Sequence, residues 1–559
     1  MPANRLLTVV RAIAPGAFVS VPAIAAVWEA HVRASFATLG RDQGIFQYVA
    51  WAILHGERAY RDVRDVNGPL VPMVHAVFQM LGGADEHRFR ILDLVLTGVA
   101  AALVGACLPA IERDEGRPHA LLSWRTLSLG VGAWVLLSAQ YIAYGFWDTA
   151  QRESYCDVFL LGATGLLLVG QRALADKAPS KARTSLFGAG ALSILPWFAK
   201  PTFVVFTFVA LISLLVDDVA MPRMKRIAPF VLGMALGALG PLSFLLAWGD
   251  VAAWMHATFV DVPTMYRFIW PRTAAEIALL PGYSRALALA LTTSTLVAVL
   301  VARGSLPRRA LVVAAMAPVG IISVLAQGKG FPYHFHPVSA GMWVSLLVLV
   351  QYACKCAEAS TRLLPTALAG LFAIAVGARA ASAASNAPYL PAPRDGESMR
   401  SPSRLRAHER VDFFPNALDA AAKYLAANTP PDARVQTYAM DPYVLFLAER
   451  KSATPYIYAF DLNADAALQG SFHEGGIHPT SLEADRIVAL RNGHEQDLFL
   501  RLASAPPAAF VLVDRSPLMS SDSALRDFEI HCPLVFEWFH AHYRESAVFE
   551  TVHVWLEGN

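Results

Sequence analysis

The sequence predicts a polytopic α-helical membrane protein with about eleven spans, followed by a soluble α/β domain. Three observations lead there. Of 559 residues, 55% are apolar and 16% charged, and the mean hydropathy is +0.42, more hydrophobic than a soluble chain of this size. The apolar residues gather in runs of about 20, the length at which a helix crosses the hydrocarbon core. Basic residues cluster on alternate connections between those runs, as expected where short cytoplasmic loops retain Lys and Arg.

Spans are expected at 9–30, 89–110, 126–144, 155–171, 185–199, 201–216, 227–248, 283–302, 309–326, 331–350 and 362–382. The fifth and sixth are short and meet at Lys200-Pro201, so they form a tight hairpin or a broken pair. The run 69–82 is too short to cross and is expected to lie as a helix at the interface. Arg5 and Arg11; Arg113, Arg117 and Arg125; Arg172, Lys177, Lys181 and Arg183; Arg223, Lys225 and Arg226; Arg303, Arg308 and Arg309; and Lys355 and Arg362 mark the inner connections. The amino terminus is then cytoplasmic. The loops 31–88, 145–155 and 249–282, the Gln327-Gly328-Lys329-Gly330 turn and the tail from 383 share the opposite face. A crossing at 69–82 would invert every later loop and put the basic clusters outside.

The expected organisation is a membrane domain over 1–382, a Pro, Ser and Arg-rich linker over 383–410, and a soluble domain over 411–559. In the tail, 416–428 reads as a helix, 434–438 and 510–514 as strands, and 533–543 as a helix leading to a final strand pair. Thr480-Ser481-Leu482-Glu483 is a capping box that opens another helix. A net charge of +2 makes no case for a nucleic-acid partner. Cys107, Cys156, Cys354 and Cys356 lie in or beside spans and Cys532 stands alone in the tail, so no disulfide framework is expected. The tail has neither an internal repeat nor a nucleotide-binding glycine loop.

Chemistry-bearing residues concentrate in the outer loops. The first loop begins at Asp42, continues into the amphipathic stretch 45–51, and carries Tyr60, Arg61, Asp62, Arg64 and Asp65 before Gly68-Pro69-Leu70. Carboxylates there can activate a hydroxyl, guanidiniums can hold a phosphate, and aromatics can hold a sugar ring. The plainer reading of Asp42 is an N-cap for the following helix. A second acidic loop on the same face holds Trp147, Asp148, Arg152, Glu153 and Asp157, with a span-capping Arg152–Glu153 pair as its plainer reading. Lys200 lies between two apolar half-spans, where an ammonium must be paired or snorkel to the surface. In Gly328-Lys329-Gly330-Phe331-Pro332-Tyr333-His334-Phe335-His336, glycines permit close approach while Lys329 and the histidines offer donors to an anionic headgroup. His334 and His336 lack a third ligand, so no metal site is expected.

An outer-loop acid, an interfacial helix, Gly56-Glu57 and Tyr60-Arg61-Asp62, the Gly68-Pro69-Leu70 segment and a second span opened by Arg88 and Arg90 together resemble the GT-C superfamily of membrane glycosyltransferases. That superfamily includes protein O-mannosyltransferases and lipid A aminoarabinose transferases. The resemblance implies that Asp42 is the catalytic base and that Glu153, with Asp157 one turn on, positions the acceptor. It implies that Lys200 meets the donor phosphate and that Lys329 and Tyr333 form the turn before a late span. Family members often carry a second acid directly after the first; here the residue is Gln43.

The implied enzyme is a multi-pass protein of a bacterial inner membrane with its tail in the periplasm. It would transfer a sugar from a polyprenyl-monophosphate donor to a hydroxyl on a cell-envelope glycan, lipid or protein, with inversion and without a cofactor. Asp42 and Glu153 are the expected catalytic residues. Lys200, Lys329, His334, Tyr333, Arg61, Arg64, Asp157 and Tyr60 are the expected substrate-binding ones. Two alternatives are a glycan ligase using a diphosphate-linked donor, for which a divalent metal would be expected, and a membrane transporter. A transporter should show repeated halves and acids near the midplane, whereas these acids gather at one surface.

Overall fold

Within hydrocarbon the backbone must satisfy its own hydrogen bonds, so long apolar runs fold as helices. The computed structural model describes residues 21–112, 124–217, 221–360, 363–470 and 477–558. Among the described residues, eight helices are long and apolar enough to cross a membrane: Glu86–Ile111, Arg125–Ala143, Arg152–Ala175, Arg223–Trp248, Tyr283–Ala302, Arg308–Gln327, Pro332–Glu358 and Leu363–Ser385. Each coincides with an expected run. Of the first expected span, 9–20 lie outside the described residues, as do Arg5, Arg11, Arg113, Arg117 and Arg362; the chain is helical over 21–35. Residues Leu70–Gly82 form a helix of 13 residues, too short to cross comfortably.

The expected fifth and sixth spans form a hairpin. Helix Pro179–Ile194 ends in a 3₁₀ turn, Leu195–Phe198; Lys200 is extended, and a second turn, Pro201–Phe203, leads into helix Val204–Val216. Thr207 Oγ1 donates back to the Ser193 carbonyl at 3.1 Å, and Trp197 Nε1 donates to Thr207 Oγ1 at 3.1 Å. Those bonds close the second limb onto the end of the first.

The chain divides into two compact units, both discontinuous in sequence: Met1–Ala37 with Arg90–Pro241 and Ala275–Ala392, and Thr38–Phe89 with Leu242–Ala274 and Pro393–Asn559. In the first, helices approach at backbone distance where side chains are smallest. A Cβ on Gly190 would lie 1.9 Å from the Phe230 carbonyl oxygen, and one on Gly233 would lie 1.9 Å from that of Phe187. Only glycine permits that spacing.

The second unit contains a five-stranded sheet of order β2-β1-β3-β5-β4, made of β1 (Arg434–Tyr438), β2 (Lys451–Ser452), β3 (Ala509–Val513), β4 (Tyr543–Phe549) and β5 (Val552–Glu557). β1 runs parallel to β2 and β3, while β5 is antiparallel to β3 and β4. Every residue of β3 is buried, which is why its sequence is continuously apolar rather than alternating. Phe510 of β3 packs against Phe539 and Tyr543 at ring separations of 4.8 and 4.7 Å. Helices at Pro415–Asn428 and Pro533–His542 match expectation, and Thr480 with Glu483 forms the expected capping box of helix Ser481–Ser504. The unit draws on the loops as well as the tail. Tyr48 OH accepts from the Ser452 amide at 2.7 Å, and Ala59 bridges to Gly249.

Gly233→Val should destabilise the protein by about 1–3 kcal/mol, because overpacking at a helix contact forces the helices apart. Gly370→Ala, where a Cβ meets nothing within 4 Å, should not. Thermal unfolding midpoints in detergent measure both.

Candidate active site

Glu153 is the second residue of helix Arg152–Ala175, whose N-cap is Gln151, so the Arg152–Glu153 pair does not itself cap the helix. Its carboxylate is fully buried. Lys200 Nζ stands 3.8 Å and His334 Nε2 3.6 Å from Oε1, and Arg152 Nε stands 3.9 Å from Oε2. These groups arrive from separate elements: the helix start, the break between the hairpin limbs, and the 3₁₀ turn Pro332–Phe335. Neither Glu153 oxygen nor either His334 nitrogen makes a hydrogen bond. The separations exceed hydrogen-bond length, so the attraction is Coulombic.

Aromatic rings wall the cluster. Arg152 Nη2 lies 3.3 Å from Tyr333 OH with the guanidinium 5.8 Å over that ring. Phe331 and Tyr333 present themselves edge-on to His334 at 5.3 and 4.8 Å. Lys329, on the connection between two spans, is buried, and burial followed by the charge of Lys200 pulls its pKa down to about 7. Arg152 and Lys200, joined by a titrating Lys329, outweigh the single negative charge of Glu153. The arrangement suits an anion.

Asp157 lines a cavity of about 40 Å³ with Tyr141, Ser154 and His336, enough room for a few waters. His336 looks elsewhere than His334: its Nε2 donates to the Asp148 carbonyl at 2.7 Å, and its ring lies 4.0 Å from that of Tyr144. Among the described residues, no group of three His, Cys, Asp or Glu side chains is placed to hold a metal ion.

In the second unit, Asp42 is the second residue of helix Arg41–Leu54, and Gly40 is the N-cap. The capping reading of Asp42 is therefore corrected. Gln43, one residue further on, accepts the Gly40 N–H. Asp42 is half-buried in the first turn of that helix. Beside it, Arg41 Nε donates to Asp441 Oδ1 at 2.9 Å and Nη1 to Asp412 Oδ2 at 3.2 Å. Burial pushes the Asp441 pKa up against the pull of Arg41, and the charges of Asp412 and Asp42 add to the rise.

The other loop residues separate by environment. Arg61 is exposed and pairs with Asp62 at 2.7 Å. Arg64 is held between Asp261 at 2.7 Å and Asp461 at 3.0 Å; burial lowers its pKa, but the two carboxylates carry it well above the ordinary value. Tyr60 has a φ of +71° and donates to the Asn67 carbonyl at 2.7 Å. Arg41 and Arg152 escaped notice as site residues in the sequence. The available signal was an arginine directly before each candidate acid.

No family description matches the sequence, and no curated protein matches it. In fold the chain is similar to the crystal structure of ArnT from Cupriavidus metallidurans bound to undecaprenyl phosphate, with a TM-score of 0.57 over 96% of this chain and 98% of that one, at 13% identity. The likeness is one of fold.

The two loop arginines should part company on mutation. Arg64→Ala leaves Asp261 and Asp461 buried without their shared partner and should cost about 3–5 kcal/mol. Arg61→Ala, at an exposed pair, should cost under about 1 kcal/mol. Comparable thermal shifts for the two would refute this division of labour.

Proposed function

We propose that the chain is an integral membrane glycosyltransferase of a bacterial inner membrane. It takes a sugar from a polyprenyl-monophosphate carrier and transfers it to an acceptor hydroxyl on the periplasmic face. The observation that carries this reading is the buried Glu153–His334 pair, left without hydrogen bonds amid Arg152, Lys200 and Lys329. Native proteins leave few buried polar atoms unsatisfied, and those that remain call for a functional explanation. The fold shared with ArnT, solved with undecaprenyl phosphate, supports a lipid-phosphate donor.

In the proposed reaction Asp42 takes the proton of the acceptor hydroxyl while its oxygen attacks the anomeric carbon from the face opposite the phosphate. The carbon–oxygen bond to the phosphate breaks, its electron pair leaves with the carrier, and the anomeric configuration inverts. The donor is a phosphodiester with one negative charge; the departing monoester gains a second. Lys200, Lys329 and Arg152 would stabilise that added charge, and cations fixed in place beforehand need no reorganisation as it develops. Glu153 holds the cations together and positions the acceptor. Arg64, already committed to two carboxylates, is a structural cation in this scheme. The amino terminus is assigned to the cytoplasm and the tail to the periplasm.

Asp42→Asn should preserve folding while lowering transfer by about 10²–10⁴-fold, the usual range for a lost general base. Glu153→Gln should lower it as much or less. An Asp42→Asn protein with near-normal turnover from a synthetic polyprenyl-phosphate sugar would remove Asp42 from the mechanism.

Lys329 gives the donor a pH dependence. A phosphodiester keeps its single charge throughout the neutral range, whereas Lys329, with its pKa near 7, loses its proton as the pH rises. The KM for donor should therefore climb between about pH 6 and pH 8, and Lys329→Arg should flatten the climb. Activity should survive EDTA; strict metal dependence, or use of diphosphate donors alone, would instead favour a glycan ligase.

A further inference from the structure

A second group of cations lies in the first unit, on residues that the proposed reaction does not use. Helices Pro179–Ile194 and Arg223–Trp248 run side by side in the same direction and touch at backbone distance where Gly190 meets Phe230 and Gly233 meets Phe187. Toward their amino-terminal ends the contact opens into a groove of about 700 Å³. Pro229 lies on that stretch. Lacking an N–H, it leaves the Lys225 carbonyl without its intrahelical donor and weakens the helix there, so the helix can lean from its neighbour.

The lining of the groove is divided. Leu186, Phe187 and Leu232 supply an apolar wall, Arg183 and Lys225 stand at the mouth, and among the described residues no acid faces it. Arg183 and Lys225 are exposed, and Lys181 and Arg223 flank them. A soluble anion would gain from the cations and nothing from the apolar wall; a neutral lipid would gain from the wall alone. We propose that the groove binds an anionic phospholipid, its phosphate between Arg183 and Lys225 and the start of its acyl chains along Leu186, Phe187 and Leu232. The volume suits a headgroup with its first acyl carbons. Basic pockets between spans on the side expected to be cytoplasmic are placed to meet anionic lipid.

The experiment is native mass spectrometry of the purified full chain, titrated separately with phosphatidylglycerol, cardiolipin and phosphatidylcholine. Phosphatidylglycerol and cardiolipin should bind more tightly than phosphatidylcholine. Each basic residue should contribute about fivefold, so that Arg183→Gln with Lys225→Gln weakens anionic lipid about 25-fold. Ala228→Trp, which fills the groove and keeps both charges, should weaken all three lipids. Gel-filtration profiles like that of the parent confirm that the variants are folded. The proposal is overturned if phosphatidylcholine binds as well as phosphatidylglycerol, or if the double variant binds anionic lipid unchanged. Displacement of phosphatidylglycerol by millimolar inorganic phosphate would also overturn it, by marking a site for a soluble anion.

Discussion

A charge removed from water must be met by another charge or by hydrogen bonds, and that constraint organises both units. Arg41 is met by Asp441 and Asp412, Arg64 by Asp261 and Asp461, and Glu57 by Arg434 at 2.8 Å and Lys451 at 3.3 Å. In each, direct bonds tie a loop residue to another part of the same unit. These pairs fix the loops against the sheet-bearing part of the same unit; without them the segment 38–89 would carry charges with no compensation.

Glu153 departs from the pattern. Its countercharges stand near enough to cancel its field but too far to bond it. Each unsatisfied buried oxygen costs roughly 1–3 kcal/mol. Local rules are broken at functional sites more than elsewhere, and among the described residues Glu153 and His334 each have both polar side-chain atoms buried without a hydrogen bond. The cluster also gathers its members from helix start, hairpin break and turn, all of them segment ends. In a membrane helix the ends are where polar side chains can converge without exposing backbone to hydrocarbon.

Eight of the eleven expected spans, the helix at Leu70–Gly82 and the elements of the tail were legible in the sequence because their causes are local: apolar runs of crossing length, a capping box, a fully apolar strand. The candidate acids were legible for a similar reason, standing out against apolar surroundings. Partnerships were not. Nothing near Arg64 in sequence points to Asp261 or Asp461, and Arg152 meets Tyr333 across 181 positions. The makeup of the second unit was equally hidden, since 38–89 and 242–274 join the tail through contacts that no periodicity encodes. Hydrophobic pattern specifies which face is buried and is silent on what buries it.

The two candidate acids share a local design. Asp42 and Glu153 each occupy the second position of a helix, each preceded by an arginine bonded toward another element: Arg41 to Asp441, Arg152 toward Tyr333. The position has a physical consequence. Capping is taken up elsewhere, by Gly40 with Gln43 in one helix and at Gln151 in the other, so neither carboxylate serves as the cap. The first turn still supplies the favourable end of the helix dipole. Gln43 fits this design: an acid there would repel Asp42, whereas the amide closes the capping box and leaves the negative charge of the first turn on Asp42.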